Sequence, residues 1–432
     1  MFSLRLLIVA VIAVFSSTAQ APAQWTATES LPDTYVTHSM VHTQGYLYHL
    51  GGLGGTNGFL AGDKVFYAQV TGPGTIGPWV AGTTVLPEAS SRHAAAVSGN
   101  YIYVLGGRHF DGINIVFSSD VYFSQIGPNG VPGAWQTTTP MPEPLFVHSA
   151  VVSNGRIYVI GGATPTTESD RVYSAEISPD GTLGSWVSLL NLPVPNFSHA
   201  AVVQDGAIYL LGGVINNGVD LTNTVRIAPI LPDGTVGPWA MTTPLPTPLS
   251  DHGAVVISGR VYVVGGWTGA PTAAVHSAQI LPDKTLGAWQ SEPSMPQPLT
   301  FHAGATDGLA IFASGGWNDA FDQSAVYGLP VAPPLSLADF SGPLGPGVPD
   351  GCVDAFDLGL LLGAWCSSAG DPDPPGDIDP PCEGCLSPNF GLADISGPDG
   401  APDGCVDAFD LAKLLNEWCS VAGGNLCGTC GP

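Results

Sequence analysis

The sequence predicts an all-β fold made of six copies of one unit, followed by a small region of different composition. Three observations support this prediction. An apolar run ending in a Gly-Gly doublet occurs six times, at steps of 55, 55, 51, 53 and 50 residues. A histidine stands 13 positions before each doublet, and a tryptophan stands 13 or 14 positions before each histidine. All eight cysteines lie between Cys352 and Cys430, beyond the last repeat.

The repeated residues keep one register along residues 25–330, and a period near 50 residues is typical of arrays of small sheets. The doublets begin at Gly51, Gly106, Gly161, Gly212, Gly265 and Gly315. The histidines are His38, His93, His148, His199, His252 and His302. The tryptophans are Trp25, Trp79, Trp135, Trp186, Trp239 and Trp289.

Composition excludes several classes of protein. The chain has 432 residues, with 10 Lys+Arg against 35 Asp+Glu and a net charge of -25. This charge argues against nucleic acid or an anionic membrane as a partner. Only 10% of the residues are charged, and no long charged helices are present, which excludes coiled coils and helical arrays.

Each unit is predicted to form four short strands. The first follows the histidine, the second ends at the doublet, the third carries a tyrosine in four units, and the fourth carries the tryptophan. Ser153-Asn154-Gly155 and Pro179–Thr182 are turn sequences between such strands. The second strand is apolar on both faces, which indicates burial between neighbouring sheets. A sheet of about 50 residues cannot cover both of its faces alone, so we expect radial packing around an axis.

The doublet, the following tyrosine and the spaced tryptophan resemble the kelch repeat, and the resemblance covers residues 25–330. It implies a six-bladed β-propeller, to which we assign residues 24–330. Trp25 has no doublet before it, and the last unit ends at Tyr327 without a tryptophan. We therefore expect Gln24–Leu31 to supply the outer strand of the final blade, which removes a free sheet edge.

The six histidines suggest a metal site, but radial symmetry would hold them too far apart for one ion with bonds of about 2.0–2.1 Å. We expect them to be structural residues at the blade junctions, and the repeated tyrosines and tryptophans to be core. The binding surface is predicted in the loops after the doublets, where aromatic and basic side chains suit sugar stacking or protein contact. The candidate ligand-binding residues are Arg108, His109, Phe110, Trp267 and Trp317.

The N-terminus is predicted to be a secretory signal peptide over residues 1–23. Arg5 provides the positive end, and Leu6–Phe15 provides an apolar core that is too short to span a bilayer. Ala21-Pro22-Ala23 fits a cleavage site, with the cut after Ala23. We find no later segment that is long and apolar enough to span a membrane, so the mature protein is expected to be secreted.

A Pro-rich linker over residues 331–336 precedes a duplicated acidic region over residues 337–432. Its two copies, 337–366 and 392–419, share the core PDGCVDAFDL. This core places aspartates, a turn glycine and a backbone carbonyl at positions 5 to 12 of a calcium loop. The predicted calcium ligands there are Asp350, Cys352 through its carbonyl, Asp354 and Asp357 in the first copy, and Asp403, Cys405, Asp407 and Asp410 in the second.

The start of each calcium loop has two interpretations. Strict counting places Pro346 and Asp399 at position 1. A stretched loop instead uses a D-x-S-G element that both copies repeat, and we favour it. Positions 1 and 3 are then Asp339 and Ser341 in the first copy, and Asp394 and Ser396 in the second. The alternative is an acidic linker without a site.

Leucines and a tryptophan at helical spacing follow each loop. One loop and one helix, repeated, resemble a dockerin module over roughly residues 335–432. The resemblance implies calcium-dependent folding and a cohesin-like or cell-surface partner. The apolar pairs Ala355-Phe356 and Ala408-Phe409 and the long insertions depart from the usual dockerin pattern.

The eight cysteines of the tail suit disulfides in an exported protein, whereas zinc would be favoured in the cytosol. Cys352 and Cys366 bracket one helix and would lie about 18–20 Å apart at about 1.5 Å per residue. A disulfide needs Cα atoms within about 7 Å, so this pair and Cys405–Cys419 are excluded. If the helices pack antiparallel, Cys352–Cys419 and Cys366–Cys405 come within reach.

The sequence therefore predicts a secreted binding protein that recognises a glycan or an extracellular protein, with a calcium-dependent tail for attachment or assembly. The alternative is a carbohydrate-acting enzyme. A copper-radical oxidase like galactose oxidase needs a tyrosine crosslinked to cysteine, and no cysteine precedes Cys352. An enzyme resembling sialic-acid mutarotases needs only polar loop residues; candidates are Arg92, Arg108, Glu168, Arg171 and Asp251. An axial pocket with paired titratable groups would favour the enzyme, and aromatic, largely uncharged loops would favour the binder.

Overall fold

The computed structural model describes residues 23–54, 60–111 and 113–331, together with the backbone of residues 341–342 and 345–346. The chain divides after Ala332 into two units, and the first contains the sheets described below. The predicted signal peptide up to Pro22, the helices and disulfides of the tail, and the calcium ligands other than Ser341 lie outside the described residues. Ser341 belongs to a short strand that pairs with a second one, β32 (Ser341–Gly342) with β33 (Gly345–Pro346).

The first unit contains six antiparallel blade sheets, five of four strands and one of five, so the prediction of a six-bladed all-β propeller is confirmed. The innermost strands are β3 (Ser39–Thr43), β9 (Ala94–Ser98), β15 (Ser149–Ser153), β19 (Ala200–Gln204), β25 (Gly253–Ile257) and β29 (Ala303–Thr306). The second strands are β4 (Tyr46–Leu50), β10 (Tyr101–Leu105), β16 (Arg156–Ile160), β20 (Ala207–Leu211), β26 (Arg260–Val264) and β30 (Ala310–Ser314).

The third strand of each blade carries the tyrosine position, and the outer strand completes the sheet. The third strands are β6 (Val65–Gly72), β13 (Val121–Gln125), β17 (Val172–Glu176), β23 (Val225–Pro229), β27 (Val275–Gln279) and β31 (Val326–Pro330). The outer strands are β8 (Val80–Ala81), β14 (Gln136–Thr137), β18 (Val187–Ser188), β24 (Ala240–Thr242), β28 (Gln290–Glu292) and β1 (Thr26–Ala27). Each repeated tryptophan directly precedes its outer strand, which corrects the expectation that it lies within that strand.

The two ends of the propeller meet in the sixth blade, as predicted. Strand β1 pairs with β31, with Thr26 opposite Gly328 and Ala27 opposite Tyr327. The amide of Thr28 extends the contact by donating to the carbonyl of Val326 at 2.9 Å. The N-terminal segment therefore supplies the outer strand of the last sheet, and innermost strands β3 and β29 are neighbours.

The hydrophobic core lies between neighbouring blades, because the second strands are buried on both faces. One core cluster joins the second and third blades through Tyr103, Leu105, Ile157 and Val159. Tyr103 is fully buried, and its hydroxyl donates to the carbonyl of Gly181 in the next blade at 2.8 Å. The tryptophans link blades at the periphery, as in Trp186, whose indole N–H donates to the carbonyl of Thr139 at 3.1 Å.

The sequence predicted loops after the doublets, but two of these segments contain a short antiparallel ladder, and a third pairs with a strand that precedes the first repeated histidine. These pairs are β2 (Tyr35–Val36) with β5 (Leu53–Gly54), β11 (Arg108–Phe110) with β12 (Ile115–Phe117), and β21 (Val214–Ile215) with β22 (Asp220–Leu221). Two small features complete the described secondary structure, β7 (Thr75–Ile76) beside β6 and a 3-10 turn at Pro128–Gly130.

Candidate functional site

A closed ring of backbone hydrogen bonds surrounds the propeller axis. It is formed by the residue that precedes each repeated histidine, and each of these residues has a φ between 49° and 56°. Each amide donates to the carbonyl of its equivalent in the preceding blade, at 2.9 to 3.2 Å, and Thr37 closes the ring by donating to Phe301. The axial ring consists of Thr37, Arg92, Val147, Ser198, Asp251 and Phe301.

The Gly-Gly doublets connect each blade to the next one close to the axial ring. The second amide of each doublet donates to a carbonyl three positions before the next blade's histidine, as Gly162 does to Asn196 at 2.8 Å. Gly161 has a φ of +56°, and a Cβ there would stand 2.5 Å from the carbonyl oxygen of Asn196. Only glycine fits at this junction, because both the backbone angle and the approach of the next blade exclude a side chain.

All six repeated histidines are buried at the blade junctions, where the sequence placed them. Burial lowers the pKa of His93, His199 and His302 to about 4, and the pKa of His148 and His252 to about 3. His38 Nε2 lies 2.9 Å from Ser314 Oγ in the sixth blade. Within the described residues, no group of three or more His, Cys, Asp or Glu side chains could hold a metal ion. With pKa values lowered to about 3 or 4, the imidazoles of His93, His148, His199, His252 and His302 are neutral at pH 7.

The residues of the axial ring and the six repeated histidines line a cavity of about 130 Å³. Arg92 and Asp251 come from the second and fifth blades, which are opposite each other in a ring of six. The guanidinium carbon of Arg92 lies 5.0 Å from the centroid of the Phe301 ring, a cation–π contact. The Ser250 hydroxyl donates to Asp251 Oδ2 at 2.8 Å. The axis thus carries one cation and one anion beside an aromatic ring.

The two charges of the axial ring are partly desolvated. Burial raises the pKa of Asp251 above the ordinary value of an aspartate, and the positive charge of Arg92 opposes that rise. Burial also lowers the pKa of Arg92, and the charge of Asp251 opposes that change. Each charge therefore stabilises the ionised form of the other across the cavity.

A second cavity, of about 470 Å³, adjoins the axial one and shares Asp251 and Phe301 with it. The rings of Trp267 and Trp317 stack here, with centroids 6.2 Å apart and planes at 29°. The rest of its wall is mostly apolar: Phe197, Val214, Val219 and Leu221, with Gly218 and Ser250. The tryptophan cavity, as we call it, therefore places an aromatic and aliphatic wall beside the axial charges.

The five predicted binding residues fall into two separate groups. Trp267 and Trp317 lie together in the tryptophan cavity, whereas Arg108, His109 and Phe110 form strand β11 of the second blade. The guanidinium of Arg108 stacks over Phe146 at 5.4 Å, and His109 Nε2 lies 3.4 Å from Glu88 Oε1. The structure therefore brings two of the five predicted residues together in one cavity and leaves Phe110 46% exposed in strand β11.

Of the five polar residues named for an enzyme, Arg92 and Asp251 line the axial cavity. Glu168 and Arg171 belong instead to the loop after the third doublet, where Arg171 Nε lies 3.7 Å from Asp170. Sequence reasoning missed Phe301, Ser198 and Ser250. The signal that would have found the ring residues is their register, because each directly precedes a repeated histidine.

Comparison with known proteins agrees with this architecture. Residues 248–296 match the Kelch motif family. The chain is 33% identical over 205 residues to Kelch repeat and BTB domain-containing protein 12 of Danio rerio, covering 43% of this chain and 31% of that protein. It is 28% identical over 146 residues to Beta-scruin of Limulus polyphemus, covering 33% of this chain and 15% of that protein. The chain thus spans about a third or less of these relatives.

The fold has a counterpart among solved structures. A chain titled "Structure of YjhT" superposes with a TM-score of 0.56 at 14% sequence identity, covering 70% of this chain and 97% of that chain. No helix within the described residues is long and apolar enough to cross a membrane. The motif match, the kelch-repeat relatives and the six blades together show that this chain is similar to kelch β-propellers.

Proposed function

We propose that this protein is a secreted, calcium-binding propeller that captures an extracellular glycan or protein on the face that carries the doublet loops. The observation that carries the proposal is the junction of two cavities at Asp251 and Phe301. One cavity supplies opposite charges, and the other supplies stacked tryptophans. Kelch propellers generally bind proteins, which agrees with a binding role.

The proposed tail functions rest on the sequence alone. The duplicated PDGCVDAFDL cores supply hard oxygen ligands for calcium, and the dockerin resemblance implies attachment to a cohesin-like or cell-surface partner. The signal sequence supports secretion, and an oxidising compartment would allow the tail cysteines to form disulfides. In this proposal the propeller recognises the ligand and the tail holds the protein in place.

Glycan and peptide arrays probed with the full chain test the proposal. Binding that survives EDTA and falls in a Trp317→Ala variant would assign recognition to the propeller face. Phe321→Ala is the matched control, since it removes an exposed aromatic side chain of the sixth doublet loop that does not line the tryptophan cavity. Binding that is abolished by EDTA and unchanged by Trp317→Ala would refute the assignment. EDTA-sensitive self-association would assign assembly to the tail.

A second function, a carbohydrate-acting enzyme of the sialic-acid mutarotase type, is favoured by one specific observation. The axis holds a buried carboxyl opposite a guanidinium, and burial raises the pKa of Asp251. A carboxyl with a raised pKa keeps its proton to a higher pH and suits acid–base exchange at a sugar hydroxyl. Exchange of sialic-acid anomers, followed by NMR, would be faster with the wild-type protein than with Asp251→Asn. Equal rates would exclude this function.

A further inference from the structure

The cation and the anion of the axial cavity both keep unused hydrogen-bonding capacity. Arg92 Nε is buried and has no hydrogen-bond partner among the described residues. None of the ion pairs found in the described part of the chain includes Arg92 or Asp251. Asp251 accepts a hydrogen bond from the Ser250 hydroxyl through Oδ2 and a second one from the Ser198 side chain, and a carboxylate can accept more than two. Both charges are thus held apart in position to contact a bound molecule.

The charge balance of the axial ring limits which ligand fits. Its other four members, Thr37, Val147, Ser198 and Phe301, are uncharged. Burial lowers the pKa of the six histidines that also line the cavity, so they are neutral, and the cavity carries one positive and one negative charge. A bound anion or cation would leave a net charge in a desolvated cavity, which is unfavourable. A zwitterion satisfies both groups and keeps the cavity neutral. A neutral sugar would provide no anionic acceptor for the guanidinium of Arg92.

The tryptophan cavity specifies the rest of the ligand. It opens beside Asp251 and Phe301, and Trp267, Trp317 and Phe197 dominate its wall. Burying an apolar group there is favourable, at about 25 cal/mol per Å² of apolar surface. A ligand that carries both charges at one end and an apolar group at the other would match both cavities, with the charges in the axial cavity and the apolar group in the tryptophan cavity.

We propose that this joint site binds an apolar α-amino acid in its zwitterionic form. The carboxylate accepts hydrogen bonds from the guanidinium of Arg92, and the ammonium group donates to the carboxylate of Asp251. The apolar side chain of the ligand occupies the tryptophan cavity against Trp267 and Trp317. The inference goes beyond the proposed function, because it assigns a small-molecule ligand to the same face.

Calorimetric titration of the full chain with L-phenylalanine tests this assignment. Two analogues each remove one charge, 3-phenylpropionate the ammonium and 2-phenylethylamine the carboxylate. Each is expected to bind at least about tenfold more weakly than L-phenylalanine, because one buried charge then remains unpaired. Equal affinity of all three compounds, or no binding of any of them, would overturn the proposal.

Substitutions of the two charged residues provide a reciprocal test. The Arg92→Met variant should bind L-phenylalanine more weakly than the wild type does, and it should bind 2-phenylethylamine better than 3-phenylpropionate. The Asp251→Asn variant should show the reverse preference between the two analogues. Arg92→Lys keeps the charge but loses the planar donor pair, so it should fall between Arg92→Met and the wild type. Arg156→Met, which removes an arginine whose partner is Glu176 in the third blade, is the control and should bind as the wild type does. The same analogue preference in both charge variants would refute the assignment.

Failure of this inference is distinguishable from failure of the proposed function. If no amino acid binds while an array ligand is lost in Trp317→Ala, the face is a binding site for another class of ligand. If neither L-phenylalanine nor an array ligand depends on Asp251, Trp267 or Trp317, both proposals are wrong. Melting temperatures measured beside each titration show whether a variant is folded.

Discussion

Gly161 of the third blade lies directly against His199 of the fourth, and a Cβ added to the glycine would stand 2.8 Å from the imidazole Cε1. The same contact recurs at Gly51 with His93, Gly265 with His302 and Gly315 with His38. The spacing of 13 residues between histidine and doublet therefore links adjacent blades as well as marking a repeat.

We predict that Gly161→Ala strongly destabilises the propeller. Gly155→Ala is its matched control, because Gly155 has a φ of +70° and a Cβ there meets nothing within 4 Å. In both variants the free energy of unfolding should fall by about 1–2 kcal/mol, because a side chain is placed on a residue in the left-handed region. Gly161→Ala should lose about 1–3 kcal/mol more, because the next blade is displaced. Urea unfolding measures both, and equal losses would contradict the junction described here.

We predict that removal of the closing strand lowers the melting temperature of the propeller. A chain that starts at residue 32 lacks β1, its ladder with β31, and the 2.8 Å hydrogen bond from the Leu31 amide to the Ser324 carbonyl. It also exposes an unpaired edge of β31. A chain that starts at residue 24 is the control. Thermal unfolding followed by circular dichroism should separate the two, and coincident curves would show that closure adds no stability.

We predict that stability falls as the pH drops below about 6.5, because the buried histidines resist protonation. Burial lowers the pKa of His49 to about 3 in the folded protein, while the unfolded chain takes up the proton near the ordinary value of 6.5. The unfolded state therefore binds more protons between these two pH values. In that range each such histidine lowers the free energy of unfolding by about 1.4 kcal/mol for every pH unit of acidification.

His49→Val isolates one of these histidines. Val104 occupies the equivalent position in β10, so valine suits this strand, although the contacts of His49 with Tyr35 and His38 are lost. Proton uptake on unfolding, obtained from denaturation midpoints at several pH values, should fall by about one in the variant. The total stability at pH 7 can change in either direction, so the pH slope is the test. An unchanged slope would contradict burial of a neutral His49.

We predict that the full chain binds two calcium ions, one for each PDGCVDAFDL copy. Asp357→Asn and Asp410→Asn should each remove one site, because each replaces the aspartate at position 12 of its loop. Asp377→Asn changes an acidic residue between the copies and is the control. Calorimetric titration with calcium measures the stoichiometry. Two ions bound by all three variants, or none bound by the wild type, would contradict the loop assignment.

The repeat architecture was predictable because it depends on spacing. Six doublets and six histidines fix the number of blades, and the unpaired Trp25 and Tyr327 indicate how the propeller closes. Such signals survive in a linear sequence because every unit must satisfy the same contacts with its neighbours.

The candidate site was only partly predictable, because its residues come from several blades. Arg92 and Asp251 are 159 positions apart and share no local pattern, yet the axial ring places them around one cavity. Trp267 and Trp317 were recognised as binding residues, but their stacking depends on the packing of the fifth blade against the sixth. Arg108, His109 and Phe110 looked equally suitable in sequence, and the β11–β12 ladder holds them in another place.

The ring of backbone hydrogen bonds at the axis does not depend on the identity of the side chains that it positions. Its donors and acceptors are amides and carbonyls, so a threonine, an arginine, a valine, a serine, an aspartate and a phenylalanine all fill equivalent positions. Ligand selectivity can therefore be changed by substitutions at these six positions while the backbone ring is kept, and this propeller offers a natural template for engineered receptors.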